Sequence, residues 1–234
     1  MSSVYPPGGV FLNHGGHLTS TLEPDLPTQI FAMLTSHHPK LMKAEVKLAQ
    51  SGSTGIYCLP GRGGRLDQGL WLEIHRRGLS LAGRQTVGEF ERLSFSDQVQ
   101  IIADDLRSAF WHEEALVIAN SYGSYLFLHA QSLIPSFPGR VLLLSPVVGG
   151  VTSPQTGVHF SPPCADRLLK LAEAGDFNAP RSCEIHVGEL DWQCPPALVC
   201  KFAELVGIPV TVVPSDGHML SKSYVSRLLD TWLP

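Results

Sequence analysis

The chain has 234 residues, 44% of them hydrophobic and 16% charged, with a net charge of −4. That length fits a single α/β domain able to bury roughly 70–75% of its unfolded surface, so no disulfide staples are needed. The negative balance, with no basic stripe, argues against a nucleic-acid partner. Five cysteines, Cys58, Cys164, Cys183, Cys194 and Cys200, form an odd set. They show no Cys-x-x-Cys or His-x-x-x-His spacing, so neither a metal nor another cofactor is expected. The N-terminus lacks a basic region followed by an apolar core, and no run approaches about 18 apolar residues. The expectation is a cytoplasmic protein without a membrane span.

Residues 1 to 27 are rich in Pro, Gly, His and Thr and read as an irregular arm or an early edge strand, with His14 and His17 in a loop. A short helix is expected at Thr28–His38 and an edge strand at Lys43–Gln50. The arm, residues 1–43, has no functional assignment. Covering the sheet edge, lining the pocket and mediating a homodimer are all open roles for it. The first buried strand is Ile56–Leu59, followed by a helix at Leu66–Arg77 and a strand at Leu79–Ala82. Ser94–Phe110 is an amphipathic helix, because Ser94 and Asp97 have capping-box spacing and Val99, Ile102, Leu106 and Phe110 share a face. Further strands are expected at Ala115–Ala119, Val141–Leu144, Cys183–Val187 and Val210–Val213, and a final helix at Ser221–Leu233. In that helix Tyr224, Val225, Leu228, Leu229 and Trp232 read as core packing. The alternation predicts one α/β domain, a mostly parallel twisted sheet with helices on both faces.

Ala119-Asn120-Ser121-Tyr122-Gly123 joins the third of these strands to a helix expected at Tyr122–Leu133. A serine at a sharp strand-to-helix turn, with small residues two positions before and after it, is a nucleophile elbow. It exposes the hydroxyl at the carboxyl end of the sheet, above a helix N-terminus.

Asp191 and His218 follow the ends of two consecutive strands, Cys183–Val187 and Val210–Val213, on the same rim as Ser121, where open parallel sheets bind ligands. A serine hydroxyl is a poor nucleophile at neutral pH and needs a base, which an imidazole supplies. A carboxylate on the other ring nitrogen fixes the tautomer and stabilises the imidazolium. Glu189 and Asp216 compete for the acid's role. Asp191 is preferred because it ends the post-strand turn, and Asp216 stands too close to His218 in sequence.

Tetrahedral intermediates also need hydrogen-bond donors. One is the backbone N–H of Tyr122. The other is expected from the loop Pro60-Gly61-Arg62-Gly63-Gly64, with the N–H of Arg62 preferred and Gly63 as alternate. No P-loop or G-x-G-x-x-G pattern competes for that loop. The side chains of Arg62 and Arg65 would favour an anionic substrate unless they are simply solvated.

With these motifs, together with Gly188-x-x-Asp191 and Gly217-His218, the chain resembles the α/β-hydrolase superfamily from about Ala44 to its C-terminus. Ala119, Pro60 and Ser124 depart from the commonest family pattern, and Ala119 is still small enough for the turn. The resemblance implies a Ser121–His218–Asp191 triad acting without a cofactor on a small-molecule acyl substrate. Family members insert a lid between the strand after the elbow helix and the strand leading to the acid. Here that stretch, Val147–Ser182, has only 36 residues and must also hold a connecting helix, expected at Cys164–Ala174. An open site with little or no cap follows, as in carboxylesterases and thioesterases. A non-hydrolytic binding protein of the same fold, an acyltransferase and an amidase are the alternatives.

Overall fold

A computed structural model describes residues 55–153 and 156–234, all within one compact unit, Glu45–Pro234. The arm, the helix expected at Thr28–His38 and the strand expected at Lys43–Gln50 lie outside the described residues. Within them, six strands form a wholly parallel sheet: β1 (Gly55–Leu59), β2 (Ser80–Gly83), β3 (Leu116–Asn120), β4 (Arg140–Leu144), β7 (Ser182–Gly188) and β8 (Val210–Val213). Their order is β2-β1-β3-β4-β7-β8. The six strands expected within the described residues all form, within a residue or two of their expected limits. The central strands are covered on both faces, which is why β3 and β4 read as unbroken apolar runs rather than alternating ones.

Strand parity sorts the core into two layers. Tyr57, Val117, Leu143 and Val187 face one side. There they meet α3 (Phe95–Ala109), α4 (Tyr122–Gln131), α5 (Arg167–Ala174) and α6 (Pro196–Val206). Ile56, Ile118 and Leu142 face the other side, against Trp71 and Ile74 of α1 (Gly69–Arg76) and Leu229 and Trp232 of α7 (Lys222–Trp232). Between β2 and α3 lies a single-turn helix, α2 (Gly88–Arg92). Ser94 caps α3 as its spacing predicts: its hydroxyl accepts from the Asp97 N–H at 3.2 Å.

The chain runs outward from β1 to β2 and then returns past β1 to β3, so the strand order reverses there. Such a switch point opens a crevice at the carboxyl ends of β1 and β3. Two expected boundaries shift. The first helix begins at Gly69 rather than Leu66, and the connecting helix begins at Arg167 because Cys164 adopts φ 61°, outside helical geometry. Between β4 and β7 stand only α5 and a two-residue antiparallel pair, β5 (Val151–Thr152) and β6 (His159–Phe160). Among the described residues that stretch therefore contains a flap and no second domain.

A buried ionic bridge ties β1, the end of β2 and α3 together. Arg84 donates to Asp105 through Nε and Nη2, each at 2.7 Å, and the Tyr57 hydroxyl donates to Asp105 Oδ2 at 2.6 Å. Burial, reinforced by the Asp105 charge, raises the Tyr57 phenol well above its ordinary value, so it stays a donor. Removing one member strands a buried charge. Arg84→Ala is therefore expected to lower stability by about 3 kcal/mol, read as a lower urea midpoint at unchanged slope.

His129, on α4, is fully buried with its ring edge-on to Phe95 and Tyr125. Burial, helped by Arg167, pushes it down from 6.5 to about 4. The folded state keeps this ring neutral while the unfolded chain protonates it near 6.5. Its contribution is complete above that pH and is lost as pH falls toward 4, up to about 3 kcal/mol. Unfolding midpoints measured across pH 7 to 4 should fall in the wild type, and by less in His129→Phe.

Candidate active site

Ser121 occupies the turn between β3 and α4 with φ 52° and ψ −120°. A non-glycine residue rarely adopts such a conformation, which carries strain of about 1–3 kcal/mol. Packing compels it. The Ser121 N–H donates to the Leu144 carbonyl at 2.9 Å, and the next turn presses on β1. A Cβ on Gly123 would lie 2.1 Å from the Leu59 oxygen, so that position excludes every side chain. Ala119 is fully buried between Leu59 and Leu143, and its methyl group fits where the commonest family pattern has glycine.

The Ser121 Oγ stands 2.9 Å from His218 Nε2. His218 Nδ1 lies 3.0 and 3.1 Å from the two Asp191 carboxylate oxygens. A carboxylate only accepts, so Nδ1 carries the proton and Nε2 is left to accept from the serine. Asp191, only 2% exposed, is fastened by more than the imidazole. Its Oδ1 also accepts from the Gln193 and Cys194 N–H groups, each at 2.9 Å. Asp191 thus closes a tight turn ahead of α6 and caps no helix itself.

The β7 and β8 loops are laced together by Glu189 N–H to Val213 O at 2.9 Å and Leu190 N–H to Asp216 O at 2.8 Å. The two rival acids serve that lacing. Glu189 accepts from the Ser215 N–H and Asp216 from the Ser221 N–H, at 2.9 and 2.8 Å. The structure thus brings together Ser121, His218 and Asp191 and assigns both rivals elsewhere.

Across the crevice, the Gly61 loop lies against the serine: a Cβ on Gly61 would sit 3.2 Å from the Ser121 Cβ. Among the described residues, no protein acceptor meets the N–H of Arg62. Tyr122, at the first position of α4, has no intrahelical acceptor for its own N–H. The alternate donor fails, because the Gly63 N–H is spent on the Thr86 carbonyl at 3.2 Å. The Arg62 guanidinium lies over the Tyr122 ring, 5.7 Å from its centre. Arg65 is instead held by Asp67, through bonds of 3.0 and 2.9 Å, which neutralises it as a substrate contact.

Two residues shape this loop without having been singled out from the sequence. Asn120 Oδ1 accepts from the Gly61 N–H at 2.6 Å, tying the elbow to the loop. Thr86 is buried beneath the loop: its hydroxyl donates to the Gly61 carbonyl and accepts from the Gly64 N–H at 2.9 Å, and its own N–H meets the Gly64 carbonyl at 3.1 Å. The polar residue just before the serine was a readable signal for Asn120. Thr86 offered none, since its partners lie over twenty positions away.

Asp191, Cys194 and His218 present ligand-type atoms within 4.8 Å of one another. Their chemistry favours hydrogen bonding over metal ligation. The Cys194 thiol donates to the Ser145 carbonyl at 3.0 Å, and burial followed by the Asp191 charge raises it well above its ordinary value. Metal ligation needs the thiolate.

No protein-family model and no curated protein sequence matches the chain. Solved structures do. Alpha/beta hydrolase domain-containing protein 10 from mouse superposes with a TM-score of 0.57 at 14% identity, covering 79% of this chain and 90% of its own. A monoacylglycerol lipase from Paleococcus ferrophilus gives 0.56 at 14% identity, covering 76% and 93%. A carboxylesterase structure from Nitrososphaera gargenis gives 0.53 at 10% identity, covering 79% and 91%. The chain has the α/β-hydrolase fold. Among its described residues, no helix is long and apolar enough to cross a membrane.

The elbow predicts opposite effects two residues apart. Ser121→Gly should raise stability by about 1 kcal/mol by releasing backbone strain. Gly123→Ala should lower it by at least about 2 kcal/mol through collision with β1. Urea denaturation of the two variants checks both signs.

Proposed function

We propose that the protein is a serine hydrolase that cleaves a carboxylic ester or thioester through an acyl-enzyme on Ser121. The observation that carries this reading is the hydrogen-bonded line from the Ser121 Oγ through the His218 ring to the buried Asp191 carboxylate. The names of the lipase and esterase neighbours agree with ester chemistry.

In the first half-reaction Ser121 Oγ bonds to the carbonyl carbon as its proton passes to His218 Nε2. Negative charge develops on the carbonyl oxygen, to which the amides of Arg62 and Tyr122 donate. Asp191 stabilises the imidazolium. The adduct then collapses: the bond to the leaving oxygen or sulfur breaks, and that atom takes the proton from Nε2. In the second half-reaction water repeats the attack under the same base, releasing the carboxylic acid and restoring Ser121. No step calls on a cofactor. Among the described residues only the short β5–β6 pair and α5 stand between β4 and β7, which leaves a small acyl substrate no cap domain to displace there.

A protein that only binds its ligand could present the same three side chains, and an acyltransferase or amidase would use them identically. Turnover separates these cases. Ser121→Ala is expected to lower p-nitrophenyl acetate hydrolysis by at least about 10³-fold and Asp191→Asn by about 10⁴-fold. Fluorophosphonate should label the wild type at Ser121 and leave Ser121→Ala unlabelled. Wild-type turnover in a folded Ser121→Ala would exclude the mechanism, and absence of both labelling and turnover in the wild type would favour a binding role.

A further inference from the structure

A cavity of about 520 Å³ lies between α1 and α7, with His218 in its lining. That size falls among small-molecule sites, which span about 300–1,000 Å³. Asn120, Ser145 and His218, all at the carboxyl edge of the sheet, share its lining, and Leu144, Val225 and Leu229 belong to its apolar wall. Neither Arg62 nor Tyr122 lines it. The cavity therefore shares the imidazole with the triad but lies away from the two amides that would hold the carbonyl oxygen.

Two further features give it a chemical preference. Ser145 is 1% exposed, holds an unusual φ of 43°, and its hydroxyl has no protein partner among the described residues. A buried hydroxyl of this kind is unfavourable until a ligand atom meets it. Arg76 also lines the cavity and has no ion-pair partner among the described residues, whereas nearby Glu73 lies 3.5 Å from Arg77, which also pairs with Asp230. The second lining cation, Lys222, opens α7 four residues after His218. Arg76 stands two turns along α1 from Gly69, about 10 Å. Leu70 and Leu72 of α1 thus lead along the cavity wall to the Arg76 cation.

We infer that this cavity binds the leaving group of the substrate, an alcohol or thiol with an apolar body and an anionic far end. The inference rests on the serine-hydrolase reading and refines it. When the tetrahedral adduct collapses, the carbonyl carbon keeps its bond to Ser121 Oγ, and its bond to the leaving atom breaks. That atom receives the proton held on His218 Nε2, so it must lie on the imidazole's side of the serine. The acyl group stays with the Arg62 and Tyr122 amides. The cavity beside His218 is therefore matched to the departing half.

The test varies each half of the ester separately. One series holds the acyl group as acetate: ethyl acetate, octyl acetate and ω-acetoxyoctanoate. The other holds the alcohol as ethanol: ethyl acetate and ethyl octanoate. Expected is a kcat/KM that rises along the alcohol series and stays nearly flat along the acyl series, with ω-acetoxyoctanoate preferred over octyl acetate by about fivefold. Val225→Phe, or Leu72→Phe should the first variant fold poorly, should cut the octyl-over-ethyl preference by about tenfold. Arg76→Gln should abolish the preference for the carboxylate. Selectivity that follows the acyl chain, or that survives both cavity-filling variants, overturns the assignment. Loss of the serine mechanism itself would register separately, as p-nitrophenyl acetate turnover that persists in Ser121→Ala.

Discussion

The backbone turn at Ser121 is the constraint on which the site depends. One residue holds a disfavoured conformation because its surroundings leave no other. β3 is paired on both sides, to β1 and β4, the serine N–H is spent on Leu144, and α4 is buried along nearly its whole length. Gly123 then lets α4 pack directly onto the end of β1. Relaxing the turn would mean lifting a buried helix off a central strand. The strain is thereby held in place, and the hydroxyl points into the crevice.

His218 and Asp191 reach the serine by a different route. Ser121 ends β3, whereas His218 follows β8, three strands away and about 14 Å across the sheet. Residues 214–221 must span that gap, and they do so as a braced loop. Asp216 is the brace, with its carbonyl accepting from Leu190 and its carboxylate from Ser221. Asp191, on the adjoining loop, combines two backbone amides and the imidazole on one carboxylate. Fixing the acid by the backbone aims the His218 ring from behind and leaves only its Nε2 facing the serine.

The opposite wall of the crevice rests on interactions remote from the chemistry. Thr86 and Asn120 hold the Gly61–Gly64 loop by five of its backbone groups and tie it to the elbow itself. Below them the Arg84–Asp105–Tyr57 bridge joins the strand that leads into the loop to the strand that leads to Thr86. The loop amides are thus aimed by a polar network whose members come from four separate stretches of chain.

Local pattern determined much of this protein. The strands followed from apolar runs, α3 from its capping box and stripe, and the order of serine, acid and base from residues at strand ends. These features rest on interactions between near neighbours, or on burial that each segment records in its own composition. Boundaries slipped where local backbone geometry decided them, as at Cys164. Turn position favours Asp191 over Glu189 in the sequence, whereas the convergence of two amides and an imidazole on the Asp191 carboxylate appears only in three dimensions. Thr86, the Arg84–Asp105 bridge and the cavity beside His218 left no local trace. Each is created by segments tens of residues apart meeting across the sheet, and Val225, part of an ordinary core stripe in sequence, lines a cavity because α1 and α7 do not close over it. Periodicity records which face a residue turns inward, and only tertiary packing decides what it meets there.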